Sequence, residues 1–204
     1  MQLIGMLDSP YVRRVAISLK LMGLPFEHRS LSVFRNFDQF RGINPVVKAP
    51  TLVCDDGTVL MDSTLILDYL EGLVPQDRRL MPPAGDARRE ALRITGLALA
   101  ACDKGVSLVY EREQRPPEKR HDAWYERVLG QAIAAYLALE DAAGKASPWL
   151  QGAGPNAADV VTAVAWRFGQ YYNAGLVPAW KFPSLVKFGA QAEALPAFES
   201  TPLD

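Results

Sequence analysis

The chain predicts a small α/β domain followed by an all-α domain. Three observations carry this prediction. Over the first 75 residues, short apolar runs alternate with amphipathic helical stretches. Prolines then gather at Pro75, Pro82 and Pro83, where a helix cannot continue. Beyond residue 87 the chain is rich in Ala and Leu at helical spacing. Its 204 residues provide material for two cores, and 49% hydrophobic residues is ordinary for a globular chain.

The elements follow in order. An apolar run over residues 2–6 reads as a strand and stops at Asp8. Ser9 stands as N-cap with Pro10 at the first helical position, opening a helix over 10–22 with Val12, Val15, Ala16 and Leu19 on one face. Gly23 and Pro25 end it. Residues 26–32 alternate as a second strand, and 34–42 read as a short helix. Residues 51–54 and 58–61 are strands joined at Asp55-Asp56-Gly57, because Asp-Gly supplies the positive φ of a tight turn. A helix follows over 63–72, with Leu65, Ile66, Tyr69 and Leu70 on one face. The order β-α-β-α then β-β-α predicts a parallel crossover joined to an antiparallel hairpin. Helices are expected over 87–112, 118–143, 157–171 and 183–194, with a loop carrying Trp149 and Leu150. The domains are therefore 1–75 and 87–204, joined by a linker over 76–86.

Composition excludes several functions. The net charge is −1, and basic residues alternate with acids, as in Glu111-Arg112-Glu113, so no basic stripe recruits nucleic acid or a membrane surface. Cys54 and Cys102 are the only cysteines and form no CxxC pair; His28 and His121 are isolated. No redox dithiol or metal site is expected, and two reduced thiols point to the cytoplasm. The N-terminus lacks a signal peptide's basic start and apolar core, and no apolar run is long enough to span a bilayer.

The chemistry concentrates in four segments. They are Ser9-Pro10-Tyr11-Val12-Arg13-Arg14-Val15, Asn44-Pro45-Val46-Val47-Lys48-Ala49-Pro50-Thr51-Leu52, Met61-Asp62-Ser63 before a helix, and Asn156-Ala157-Ala158-Asp159-Val160. Ser9 and Ser63 each open a helix right after a strand, where free N–H groups and the helix dipole favour anions. Asn156 and Asp159 form a variant capping box, a structural feature.

In order and spacing these segments resemble the glutathione S-transferase family over nearly the whole chain. The resemblance implies a thioredoxin-like domain before the all-α domain, with glutathione as co-substrate. It implies Ser9 as the residue that favours the thiolate. A free thiol has a pKa near about 8.5, and lowering it to about 6.5 requires roughly 2.7 kcal/mol. One O–H···S⁻ hydrogen bond at a helix start is of that order. The resemblance also implies a cis Ala49–Pro50 bond that frees the Ala49 backbone for the cysteinyl peptide. Lys48 would lie near the glycyl carboxylate, with Ser63 on the γ-glutamyl carboxylate and Asp62 near its ammonium. The family often has Glu or Gln where Asp62 stands, and usually Ser or Thr where Asn156 stands.

Serine at position 9, where other branches use tyrosine or cysteine, argues for conjugation and against disulfide reduction. Leu7-Asp8-Ser9-Pro10 also departs from the Ser-Ser-Cys cluster of zeta-like isomerases. Tyr11, Phe34, Tyr110 and Trp166 are candidates for an apolar electrophile wall, each weighed against a core role. Arg112 and Arg115 are candidates for an anionic group, weighed against exposed salt-linked arginines. A two-fold homodimer follows from family likeness alone. The alternatives are a non-catalytic binding module, or a glutathione-dependent reductase or isomerase.

Overall fold

The computed structural model describes residues 1–203 and divides into two units, residues 1–81 with the stretch from Ala194 onward, and residues 82–193. In the first unit β1 (Gln2–Ile4), α1 (Pro10–Leu21), β2 (Glu27–Arg29) and α2 (Phe37–Ile43) precede β3 (Thr51–Val53), β4 (Val59–Met61) and α3 (Ser63–Gly72). The strand order is β2-β1-β3-β4. β1 runs parallel to β2 and antiparallel to β3, and β3 pairs antiparallel with β4.

Alternation across this sheet decides its layers. Leu3 and Leu52 face one side and pack with Val12, Val15 and Leu19 of α1 and with Ile66 and Leu70 of α3. Ile4 points to the opposite side and packs with Leu31 and Phe40, the latter from α2. All four strands are only three residues long, shorter than the runs expected from the sequence. β1 stops because Gly5 adopts φ +134°, outside the extended region. α2 begins later than expected because residues 32–36 form a turn, in which the Phe34 and Arg35 N–H groups donate to Ser32 Oγ.

The second unit holds α4 (Gly85–Glu113), α5 (Asp122–Ala143), α6 (Ala157–Tyr172) and α7 (Pro183–Glu193). α5 starts at Asp122 rather than 118, since residues 117–119 take a 3-10 turn and His121 Nδ1 accepts from the Trp124 N–H. α6 is the core helix, buried on nearly every side. The capping box at its start is present: Asn156 Oδ1 accepts from Ala158 and Asp159, and Asp159 Oδ2 accepts from Asn156. Asp159 Oδ1 also takes the Leu150 N–H at 2.8 Å, which ties the preceding loop to the helix.

The helical domain was expected to run to residue 204. Instead, α8 (Pro196–Glu199) and its flanks belong to the sheet unit. Arg13 explains the difference. It is 1% exposed, its Nε donates to Thr201 O at 2.8 Å, and its guanidinium lies 5.7 Å from the Phe198 ring centre. An arginine so placed in α1 needs acceptors, and the returning segment supplies them.

Candidate active site

Strand register brings three loops to one edge of the sheet. Ile4, the last residue of β1, pairs with Thr51, the first of β3; Thr51 in turn pairs with Met61, the last of β4. Residues leaving β1, entering β3 and leaving β4 therefore emerge together. These are the Gly5–Ser9 loop, Lys48-Ala49-Pro50 and Asp62-Ser63.

Ser9 occupies the N-cap position of α1 with φ −70° and ψ 122°. Its carbonyl accepts the Arg13 N–H at 2.9 Å, but its side chain makes no cap hydrogen bond. The hydroxyl is thus at the positive end of a helix without being used by that helix. The Ala49–Pro50 peptide is cis. The loop that carries it is fixed from behind: Asn44 Nδ2 donates to Thr51 Oγ1 at 2.9 Å, and Thr51 Oγ1 donates to Lys48 O at 2.7 Å. Ala49 also meets Gly5 closely, since a Cβ built on Gly5 would lie 3.1 Å from Ala49 Cβ.

Asp62 caps α3, its Oδ1 accepting the Thr64 N–H at 2.9 Å, and it does so with φ +69°. A non-glycine residue in the left-handed region is strained and marks a position that its surroundings dictate. Lys48 Nζ lies 3.6 Å from Asp62 Oδ2. Partial burial works against the Asp62 charge, but the Thr64 N–H and the Lys48 ammonium outweigh it, so the carboxyl sits below the ordinary carboxylate range. Ser63 is buried, and the Ser63 N–H, first of the helix, has no acceptor within α3. Ser63 Oγ accepts from Arg14 Nη1 at 3.2 Å, which leaves its own proton for a ligand. Arg14, 4% exposed, holds its guanidinium behind this helix start. The sequence named Arg14 within a motif but gave it no role; only its contact with Ser63, 49 residues away, reveals one.

The candidate electrophile residues divide. Tyr11 is partly buried on the first turn of α1, Phe34 is exposed in the 32–36 turn, and Tyr110 is exposed on α4. Trp166 takes the core alternative. It is 6% exposed and packs against Tyr136 and Phe182 with ring centres 6.2 and 5.8 Å apart, so its faces are filled by core neighbours. Arg112 binds Asn173 Oδ1 and Tyr172 O, and Arg115 pairs with Glu111 at 2.7 Å; both arginines are occupied. Among the described residues no three His, Cys, Asp or Glu side chains are grouped to hold a metal ion. No helix is long and apolar enough to cross a membrane.

A mixed four-stranded sheet flanked by helices and followed by a helical unit is a thioredoxin-like architecture with an all-α extension. Residues 3–78 match the family model for the glutathione S-transferase N-terminal domain. A maleylacetoacetate isomerase from Pseudomonas aeruginosa is 29% identical over 195 residues, covering 91% of this chain and 87% of that protein. A glutathione S-transferase from Methylobacterium radiotolerans, in complex with glutathione sulfonate, matches at TM-score 0.90 and 27% identity over 100% of this chain and 95% of that one. A glutathione transferase family member from Pseudomonas fluorescens with bound glutathione matches at TM-score 0.86 and 27% identity, covering 100% and 98%. Residues 3–78 thus match the glutathione S-transferase N-terminal domain, and over its length the chain is similar to members of that family.

Proposed function

We propose that the protein is a glutathione transferase that holds the glutathione thiol as thiolate for attack on a small apolar electrophile. One observation carries this reading: Ser9 presents an uncommitted hydroxyl on the sheet edge where Ala49 and the Asp62–Ser63 helix start also emerge. A bipolar tripeptide fits that layout. The Ser63 N–H and hydroxyl, backed by Arg14, take the γ-glutamyl carboxylate, and Asp62 takes its ammonium. The Ala49 backbone, beside Pro50, pairs with the cysteinyl peptide, and Lys48 assists at the glycyl carboxylate. Ser9 Oγ donates to the sulfur. In a substitution the thiolate forms a C–S bond, the carbon–halide bond breaks and halide leaves; the thiol proton has already gone to water. Tyr11 and Phe34 of the sheet unit are the proposed apolar wall.

The relative from P. aeruginosa favours a second reading, glutathione-dependent isomerisation, in which the same thiolate adds reversibly to an activated alkene. Retention on immobilised glutathione followed by turnover of a chromogenic aryl halide tests the first reading. Retention with no turnover across a broad electrophile panel would leave a binding module. Disulfide reduction that survives Ser9→Ala would leave a reductase.

Cys54 and Cys102, both buried and neither in a disulfide, support a reducing, cytoplasmic location. The exposed Leu65 and Tyr69 of α3 and Leu73 at its C-cap repeat every four residues and form an apolar stripe suited to a second copy in a homodimer. Light scattering checks that assembly. A role in detoxification follows from conjugation.

A further inference from the structure

Arg35 is a cation held beside the Ser9 loop with no anionic partner among the described residues. Its Nη2 contacts Met6 Sδ at 3.2 Å, and a thioether is a weak acceptor that neutralises nothing. Among the described residues it pairs with no carboxylate. Met6 belongs to the turn that leads into Ser9, whose N–H donates to Met6 O at 3.2 Å.

The backbone that carries Arg35 is built to stay in place. Ser32 Oγ accepts the Arg35 N–H at 3.1 Å, Asn36 Oδ1 accepts the Ser32 N–H at 3.1 Å, and the Asn36 N–H donates to Ser32 O at 3.0 Å. These reciprocal bonds close a rigid turn.

Sheet order then decides which side of Ser9 this cation serves. The tripeptide sites follow β4 and precede β3, on one side of β1. β2 lies on the other side, runs parallel to β1 and so delivers the following chain, with Arg35, to the same edge. Both carboxylates of the tripeptide already have proposed partners in Ser63 and Lys48. What meets Arg35 is the molecule that approaches the sulfur from the β2 side.

We propose that Arg35 is a specificity-determining residue that selects electrophiles carrying a carboxylate. The inference rests on the transferase reading and amends its substrate class: the electrophile keeps an apolar body for the wall but carries a carboxylate at one end. A planar guanidinium binds a carboxylate with two parallel N–H···O bonds and so fixes the direction of the reacting carbon. The reaction is unchanged: the C–S bond forms, the carbon–halide bond breaks and halide departs, while the carboxylate stays bound.

The test compares 4-chloro-3,5-dinitrobenzoate with its neutral amide, each rate corrected for the uncatalysed reaction with glutathione. The ratio of kcat/KM, acid over amide, is expected to fall about tenfold in Arg35→Gln, the scale of losing one charged hydrogen-bonded contact. Arg35→Lys, which keeps the charge but not the fork, is expected to restore part of the ratio. A ratio equal to that of the unaltered protein in both variants overturns the proposal. So does an unchanged ratio with a raised KM for glutathione, which would assign Arg35 to the tripeptide. Unaltered protein that turns over neither compound refutes the transferase reading itself, an outcome distinct from loss of selectivity.

Discussion

Gly5→Ala is the sharpest structural probe of the site, because Gly5 sits where β1 ends against both α1 and the Ala49 loop. A Cβ there would fall 2.6 Å from Val12 Cγ2 and 3.1 Å from Ala49 Cβ. Val12 is fully buried in the core and has nowhere to retreat. The Gly5 backbone is pinned as well. Its N–H donates to Arg29 O at 3.1 Å, and its carbonyl accepts from His28 Nε2 at 2.8 Å. Two costs add. Holding alanine at φ +134° costs about 1–3 kcal/mol, and forcing a methyl into a filled space costs about 1–3 kcal/mol. The sum is roughly 2–6 kcal/mol, or a fall in Tm of about 4–24 °C for a chain of this size. Any relaxation pushes Ala49 outward, so the affinity for glutathione falls too. Thermal unfolding and calorimetric titration with glutathione read the two effects. A variant with Tm within about 2 °C of the parent and unchanged glutathione affinity would refute the reasoning.

Ser9→Ala is expected to lower kcat/KM by about 10- to 1000-fold while leaving Tm nearly unchanged, because the hydroxyl makes no cap hydrogen bond. An unchanged rate would move the donor role to Tyr11; a marked fall in Tm would restore the cap reading. Asn156→Ala removes the acceptor at the start of α6 and is expected to cost roughly 1 kcal/mol in denaturant unfolding, with kcat intact. Burial raises the Asp159 carboxyl above its ordinary value against the opposing Asn156 and Leu150 N–H groups. The folded state therefore holds the proton to higher pH than the unfolded chain. Stability from this group falls as pH climbs from the ordinary carboxyl value to the raised one, then stays level. Unfolding curves of Asp159→Asn should lack that fall, whereas an identical pH profile in parent and variant would refute the assignment. Trp166→Phe is expected to destabilise the helical unit by about 1–3 kcal/mol, because it leaves a core cavity, yet to keep aryl-halide turnover. A selective rise in electrophile KM would return Trp166 to the wall.

What the sequence revealed was local. Asp55-Asp56-Gly57 and the Ser9-Pro10 start are written in adjacent residues, and so are the order of strands and helices and the box at Asn156. Contacts between distant residues were not legible. Nothing near Arg14 announces Ser63, nothing near Arg13 announces Thr201, and nothing near Arg35 announces Met6. Trp166 stayed open between wall and core for a related reason. α6 is apolar on almost every side, so its periodicity carries no outward face, and an aromatic there cannot be sorted into wall or core from spacing. The starts of α2 and α5 slipped because Ser32, Asn36 and His121 divert backbone N–H groups into turns and caps.

The segment from Ala194 onward, which closes over α1, has a consequence for biosynthesis. Lys20 Nζ meets Ser200 Oγ at 2.9 Å, beside the Arg13 anchor. A nascent chain emerging from the ribosome has made the sheet but not the piece that shields its arginine until all of residues 82–193 have been translated. Any truncation that ends before Phe198 would strand that guanidinium in a half-built pocket, and expression of the sheet unit as an isolated fragment should therefore supply residues 194–204 by fusion or in trans.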